Sequence, residues 1–224
     1  MKKLKKWIIR IVVILVTLFV CLVLVLYNMV AVVGMYHKVK YGLFGHPDTD
    51  VLCIGSSSMF FWSTFEQDLE PNSAVNVGIP GAVIGDWIPE VDSLVVPFKP
   101  EIILIYLGAN DLHKDNPDVV LSLKEMETLV TLLHEKVPGA KLYALTVYST
   151  TAASDHFKDD DQFNSGLKSL AEKYSYLEII DVASALRDSP TKPKEGIFKS
   201  DNVHLNSAGY KIWSAEVRSV LYGE

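Results

Sequence analysis

The sequence is poor in several residue types, and each shortage excludes a class of protein. Only 2 of its 224 residues are cysteines, and we do not expect Cys21, in a long apolar run, to pair with Cys53, in a predicted buried strand. The 13 glycines and 10 prolines are too few for a collagen-like or low-complexity chain. The 49% of apolar residues excludes a disordered chain. The length allows one compact domain with an appendage.

Acidic residues are absent from the first 40 positions, although the chain contains 27 of them. The same stretch holds seven of the 21 Lys and Arg residues, which leaves 14 basic and 27 acidic side chains in residues 41–224, a net charge of −13. An acidic body without a basic stripe cannot neutralise the phosphates of a nucleic acid, so we expect no nucleic-acid partner.

The N-terminal segment combines a basic start with a long run free of charge. No charged residue occurs from Ile11 to Tyr27, and the mainly apolar run continues to Val33. This length can span a hydrocarbon core of ~30 Å, and the cations in front of it favour a cytoplasmic N-terminus. We therefore predict a basic stub and single-pass signal anchor at 1–33. Residues 11–33 would lie in the cytoplasmic membrane and the rest of the chain would be extracytoplasmic. A cleaved signal peptide is the alternative, but its apolar core is only ~7–15 residues long.

Beyond a predicted linker at 34–50, residues 51–224 are expected to form one α/β domain. Five runs have the near-continuous apolar character of strands covered on both faces. These runs are Val51–Ile54, Ala74–Val77, Glu101–Leu107, Lys141–Val147 and Leu177–Val182. Helix patterns cover Val119–Val137 and Asp159–Tyr174, and Asn206 is a candidate N-cap of a last helix. This alternation favours right-handed crossovers and a parallel sheet between two helical layers.

Four loops that are distant in sequence carry polar residues to one predicted edge of the sheet, where ligands bind in such folds. The loops are Gly55–Met59, Gly78–Gly81, Gly108–Asp111 and Asp201–His204. They supply a hydroxyl, backbone amides, a carboxamide and a histidine with a nearby carboxylate. Acyl transfer from an ester requires these parts: an activated serine, an oriented imidazole and donors for an oxyanion.

Each part alone also has a structural interpretation. The serine loop could be an ordinary or phosphate-cradling turn, Asn110 could form an Asx turn, and His204 could be structural. Their common placement at strand ends favours the catalytic interpretation. No Cys/His pairing at zinc spacing occurs, so we expect no metal or other cofactor. We interpret His113, His134 and His156 as surface charge, and the acidic run 159–161 as solvated loop charge.

With these four loops the chain resembles the SGNH hydrolases, also called GDSL-type esterases and lipases, over about residues 48–222. Ile54–Ser58 stands where the family has its Gly-Asp-Ser block, which would make Ser57 the nucleophile. Asn76–Gly81 is similar to the second block, whose last glycine, here Gly81, supplies an oxyanion amide.

The remaining blocks assign three further residues by the same resemblance. Gly108–Asp111 matches the Gly-x-Asn-Asp block, with Asn110 as side-chain oxyanion donor. The Asp-x-x-His block places the orienting carboxylate at Asp201 and the base at His204. One departure is Ser56, which replaces the acidic residue of the first block and leaves open how the nucleophile turn is braced.

The resemblance implies a three-layer, flavodoxin-like domain with a five-stranded parallel sheet, preceded here by the predicted transmembrane helix. It also implies a carboxylic ester hydrolase that forms an acyl-enzyme on Ser57, with His204 as base and then acid. The oxyanion would be held by the backbone N–H groups of Ser57 and Gly81 and by Asn110. Because no long apolar lid is evident, we expect small acyl groups, such as O-acetyl groups on a glycan, with an acylated lipid as another substrate class. The alternatives are an acyltransferase, or a non-catalytic, membrane-tethered glycan-binding or scaffold domain on the same fold.

Overall fold

The structure is a computed structural model that describes residues 2–223, except for the side chains at positions 2–5, 22, 24–27 and 154. Three of the predicted cytoplasmic cations, Lys2, Lys3 and Lys5, therefore lie outside the described side chains. The same is true of part of the predicted 11–33 membrane span.

A five-stranded parallel sheet forms the centre of the fold, which confirms the predicted architecture. Its order is β2-β1-β3-β4-β5, and all neighbouring strands are parallel. The strands are β1 (Val51–Gly55), β2 (Ala74–Asn76), β3 (Ile102–Tyr106), β4 (Lys141–Leu145) and β5 (Leu177–Ile180). The chain runs from β1 outward to β2 and then returns to the other side of β1, so the order reverses between β1 and β3. Crevices for ligands form beyond the carboxyl ends of strands at such a switch point.

Both faces of the sheet are buried, which explains the continuous apolar runs. Leu52 and Ile54 of β1 face one hydrophobic core, whereas Val51 and Cys53 face the other. This alternation follows from the two-residue period of a strand. Cys53 is buried and unpaired, as is expected of a small core residue.

Helices flank the sheet and connect its strands. The shorter ones are α3 (Ser57–Phe60), α4 (Phe65–Asp68), α5 (Ile84–Trp87), α6 (Val91–Leu94), α7 (Ala109–Leu112) and α10 (Val182–Ala185). The longer ones are α8 (Val119–Lys136), α9 (Phe157–Lys173) and α11 (Ser207–Tyr222). The predicted cap of α11 is confirmed, because the Asn206 side chain accepts hydrogen bonds from the backbone N–H groups of Ala208 and Gly209. A small antiparallel pair, β6 (Arg187–Ser189) and β7 (Lys192–Pro193), lies before α11.

The N-terminal region consists of helices α1 (Lys2–Tyr27) and α2 (Met29–Phe44). Most of the predicted linker at 34–50 is therefore helical, and only residues 45–50 connect α2 to β1 without regular structure. The reason is that α2 packs against the domain through the buried residues Val33, Gly34, His37 and Tyr41, which recur at helical spacing. In the part of the chain that the structure describes, no helix has both the length and the apolar character needed to cross a membrane.

Candidate active site

Ser57, His204 and Asp201 form a continuous chain of hydrogen-bond contacts at the carboxyl edge of the sheet. His204 Nε2 lies 2.9 Å from Ser57 Oγ, and His204 Nδ1 lies 2.8 Å from Asp201 Oδ2. Ser57 begins α3, with one residue between it and the end of β1, and His204 lies two residues before the cap of α11. The structure thus brings together three side chains that the sequence separates by up to 147 positions. This arrangement can convert a serine hydroxyl into a nucleophile.

Asp201 is held in place by backbone donors as well as by the imidazole. Its Oδ1 accepts hydrogen bonds of 2.9 Å from the N–H groups of both Val203 and His204. The hydrogen bond from the His204 ring, followed by these two backbone bonds, holds the pKa of Asp201 well below its usual range. An ionised Asp201 accepts a hydrogen bond from Nδ1–H of His204, and this tautomer presents the Nε2 lone pair to Ser57.

The two serines that flank Ser57 also lie in the wall of its cavity. Ser56 and Ser58 are both buried, and the Ser58 hydroxyl shares a hydrogen bond of 2.9 Å with the Tyr148 hydroxyl. The Tyr210 hydroxyl donates to the Ser58 carbonyl at 2.7 Å. These tyrosines brace the nucleophile turn, although nothing in their local sequence indicated that role.

The loop after β2 lies against α3. The Asn76 side chain donates from Nδ2 to the Met59 carbonyl at 2.6 Å, and its Oδ1 accepts from the Gly78 N–H at 2.9 Å. A Cβ atom at Gly78 would lie 2.7 Å from the Phe60 nitrogen, which is closer than real Cβ contacts allow. Glycine is therefore required where this loop approaches the helix that carries the nucleophile.

Asn110 lines the same cavity as Ser57, and its Nδ2 donates to the Ala82 carbonyl at 2.9 Å. A carboxamide has two N–H bonds, so one of them can still serve an oxyanion. Gly81, adjacent to Ala82, is exposed and has a φ of 80°. It is not found among the described residues that line the cavity. Its role as an oxyanion donor stays a prediction.

Sequence comparison identifies the family. The model of the GDSL-like lipase/acylhydrolase family matches residues 48–212. The chain belongs to this family. The match includes Ser57, Gly81, Asn110, Asp201 and His204. No curated protein matches the sequence.

Solved structures share the fold of this family member at low sequence identity. A protein from Streptococcus pneumonia, provisionally described as a platelet activating factor, is 20% identical with a TM-score of 0.80, over 92% of this chain and 99% of that chain. A GDSL-like lipase from Bacteroides thetaiotaomicron is 14% identical with a TM-score of 0.72, over 84% and 96% of the two chains. The acetyl xylan esterase AlAXEase is 19% identical with a TM-score of 0.64, over 76% and 98%. These similarities show that the fold is common to them.

Asp111 ties the loop after β3, which carries Asn110, to α5. Both of its carboxylate oxygens lie 3.3 Å from the Ile84 nitrogen, and the residue is buried. Burial raises the pKa of Asp111 to about 6, against the lowering effect of the Ile84 N–H. Asp111 therefore anchors the turn that carries Asn110 without taking part in the hydrogen-bonded chain of Ser57.

The cavity beside Ser57 has a volume of about 240 Å³, below the usual ~300–1,000 Å³ of pockets for drug-sized ligands. Polar side chains in its wall, besides Ser57 and Asn110, include His113, Tyr148 and Thr150. Its small volume suits a small group better than a long alkyl chain, and the polar side chains in its wall can hydrogen-bond a hydroxylated group. Within the described residues, no group of three or more His, Cys, Asp or Glu side chains is arranged to hold a metal ion.

Proposed function

We propose that this family member hydrolyses carboxylic esters through an acyl-enzyme on Ser57. The observation that carries the proposal is the hydrogen-bonded chain from Ser57 through His204 to Asp201, with distances of 2.9 and 2.8 Å. As Ser57 Oγ attacks the acyl carbon, its proton passes to His204 Nε2. The resulting imidazolium, stabilised by ionised Asp201, then gives that proton to the departing alcohol oxygen.

Hydrolysis of the acyl-enzyme repeats the sequence with water. His204 takes a proton from water, the hydroxide oxygen attacks the acyl carbon, and the proton returns to Ser57 Oγ as the carboxylic acid leaves. In both halves the carbonyl oxygen becomes an oxyanion. The second N–H of the Asn110 amide and the backbone N–H groups of Ser57 and Gly81 are the proposed donors to it.

The substrate that we propose carries a small acyl group, such as an O-acetyl group on a glycan. The small volume of the cavity supports this choice, and a long alkyl chain would offer no hydrogen bond to the polar side chains in its wall. The description of one structural relative, AlAXEase, as an acetyl xylan esterase is in keeping with it.

A comparison of 4-nitrophenyl acetate with 4-nitrophenyl octanoate tests the esterase proposal. We expect the full-length protein, kept in detergent micelles, to hydrolyse the acetate with the higher kcat/KM. We also expect a fluorophosphonate probe to label it at Ser57. An intact protein that neither turns over the acetate nor reacts with the probe would contradict esterase function and favour a binding domain.

We further propose that residues 11–33, whose side chains the structure describes only in part, anchor the protein in the cytoplasmic membrane with the catalytic domain outside. The sequence supports this by its uncharged run from Ile11 to Tyr27 behind a basic start. The large apolar side chains described between Trp7 and Val23 are 45–66% exposed, and a continuous apolar surface of this kind calls for an apolar environment. Protease added to intact cells should digest the domain. Protection of the domain would contradict the anchor, and a mature form that starts near residue 34 would indicate cleavage instead.

The start of α2 lies beside the proposed oxyanion loop. A Cβ atom at Gly81 would lie 3.7 Å from Cγ2 of Val30, and His37 Nε2 lies 3.3 Å from the Gly78 carbonyl oxygen. A membrane anchor in α1 would therefore join the domain near the active-site edge of its sheet. This supports a substrate, either an acylated glycan or a lipid, that is reached near the membrane surface.

A further inference from the structure

The wall of the cavity beside Ser57 includes His113, which pairs with the buried carboxylate of Asp160 behind it. The hydrogen-bonded chain that starts at Ser57 does not use this second histidine–carboxylate pair. His113 Nε2 lies 2.8 Å from Asp160 Oδ1, and Asp160 Oδ2 accepts a hydrogen bond of 2.6 Å from the Ser149 hydroxyl. The Asp160 side chain is 1% exposed and that of His113 is 14% exposed. The interpretation of these two residues as surface charge is therefore wrong.

His113 is placed in the cavity by the same turn that carries Asn110. Helix α7 ends just before His113, whose backbone N–H donates to the Ala109 carbonyl at 2.8 Å. Side chains three positions apart lie on the same side of a helical turn, and both Asn110 and His113 line the cavity with Ser57. A substrate bound at Ser57 therefore shares this small space with the His113 ring.

The contact with Asp160 occupies one ring nitrogen of His113 and leaves the other available. Among the described residues no hydrogen bond to His113 Nδ1 is found, and this atom is not one of the buried polar atoms that lack a partner. A neutral ring would accept a hydrogen bond from a hydroxyl at Nδ1, and a protonated ring would donate one to its oxygen. An alkyl chain offers neither partner. The buried carboxylate, itself fixed by Ser149, restrains the orientation of the ring before substrate arrives.

We propose that His113, positioned by Asp160, forms a polar subsite that hydrogen-bonds a hydroxyl group of the ester substrate. The inference rests on the proposed esterase function and narrows its substrates to hydroxylated esters, such as partly acetylated sugars. The subsite would favour hydroxylated esters over others, because an ester without such a hydroxyl would desolvate Nδ1 of His113 and leave it without a hydrogen-bond partner.

Two acetates that differ in their alcohol portion test this subsite. A methyl glucoside that carries one acetyl group offers hydroxyls, whereas the alcohol portion of 4-nitrophenyl acetate has none. We would measure kcat and KM for both with the full-length wild type, His113→Leu and His113→Gln. His156→Gln is the matched control, because the His156 ring lies 5.7 Å from the His113 ring, centroid to centroid, and is not found among the described cavity-lining residues.

In His113→Leu we expect KM for the glucoside acetate to rise about five- to tenfold, the range for loss of one neutral hydrogen bond. Its kcat/KM for 4-nitrophenyl acetate should stay within about twofold of wild type, since that substrate makes no such bond. His113→Gln should recover part of the lost affinity, because its amide can also pair with a hydroxyl. His156→Gln should behave as wild type with both substrates.

An unchanged KM for the glucoside acetate in His113→Leu would overturn the subsite, as would equal losses with both substrates. Neither result would contradict the esterase proposal as long as the wild type is active. A wild type that hydrolyses neither acetate and fails to react with a fluorophosphonate would overturn both proposals. If His113→Leu does not fold, Ser149→Ala is the second variant. It frees Asp160 from one hydrogen bond and should raise KM for the glucoside acetate alone, by a smaller factor.

Discussion

The side-chain amide of Asn76 donates to the main-chain carbonyl of Met59 at 2.6 Å and so joins the loop after β2 to the helix that begins with Ser57. The same side chain accepts from the Gly78 N–H at 2.9 Å. Together with Tyr148 and Tyr210, it braces the nucleophile turn in a chain whose first block has Ser56 in place of an acidic residue. One carboxamide thus fixes the distance between the proposed nucleophile and the proposed oxyanion loop.

Replacement of Asn76 by alanine should therefore impair turnover more than substrate binding. A shift of the nucleophile turn by about 1 Å can cost up to ~10²-fold in rate, so we expect kcat to fall by about 10- to 100-fold with little change in KM. Steady-state kinetics on 4-nitrophenyl acetate checks this. Asn72→Ala, in the turn before β2, is the matched control and should keep wild-type kcat. A wild-type kcat in Asn76→Ala would mean that the tyrosines alone suffice as a brace.

Ser57 and His204 should act as one unit. We expect Ser57→Ala and His204→Ala each to lower kcat by about 10³-fold or more, and the double variant to lose little more than either, because residues that act jointly are not additive. The kinetics of the three variants on 4-nitrophenyl acetate form the test. Additive losses would indicate that the 2.9 Å contact between the two side chains is not used in the reaction.

Ser56 and Ser58 provide the controls for the assignment of Ser57 as the nucleophile. A fluorophosphonate should label wild type, Ser56→Ala and Ser58→Ala, and should not label Ser57→Ala. Labelling that persists in Ser57→Ala and disappears in Ser58→Ala would move the nucleophile by one position. Such a result would be hard to reconcile with the hydrogen bond that the Ser58 hydroxyl shares with Tyr148.

Asn110→Ala tests the oxyanion hole. Loss of one preorganised donor typically costs about 10²–10³ in kcat, and we expect a decrease of that size. The accompanying loss of stability should be small, near the ~1 kcal/mol of one hydrogen bond, since within the described residues the side chain is found to donate only to the Ala82 carbonyl. Kinetics and chemical denaturation separate the two effects. Activity within about threefold of wild type would assign Asn110 to turn formation alone, because that loss is far below the usual cost of a missing donor.

The sheet and the main elements of the site were predictable because their signals are local. Each strand of a parallel sheet covered on both faces is a short, near-continuous apolar run, and the glycine-rich and polar loops directly follow those runs. The predicted ends of the strands agree less well with the structure. For example, Val182 was assigned to the last strand but begins α10, because the Asp181 side chain accepts from the Ser184 N–H and caps that helix.

The errors arose where long-range contacts decide the structure. Residues 34–44 contain three charged or histidine side chains and two glycines and were assigned to a linker, yet they form most of α2, whose buried side is completed by the domain. The interpretation of His113 as surface charge fails because its partner Asp160 lies 47 positions away, within an acidic run typical of a solvated loop. Nothing in either local sequence indicates that the two side chains meet.

The buried carboxylate of Asp111 makes stability depend on pH in an unusual direction. Burial raises its pKa in the folded protein from the usual 3.8 to about 6. Between these values the folded state binds more protons than the unfolded state, so this group's contribution to the free energy of unfolding falls as pH rises. The contribution is largest below about pH 4 and is lost above about pH 6, opposite to that of a carboxylate whose pKa is lowered, such as Asp201.

Asp111→Asn removes this titration and keeps an oxygen that can accept from the Ile84 N–H. We expect the free energy of unfolding of the wild type, relative to the variant, to fall by about 1 kcal/mol per pH unit between pH 4 and 6, roughly 2 kcal/mol over that interval. Chemical denaturation of both proteins in the same detergent at several pH values from 4 to 8 measures the difference, and other carboxylates cancel in it. Asp115→Asn, at an exposed position four residues further on, is the control and should show no such trend. Parallel curves for wild type and Asp111→Asn would mean that water or a cation relieves the buried charge, and that Asp111 anchors the Asn110 turn as an ionised group throughout.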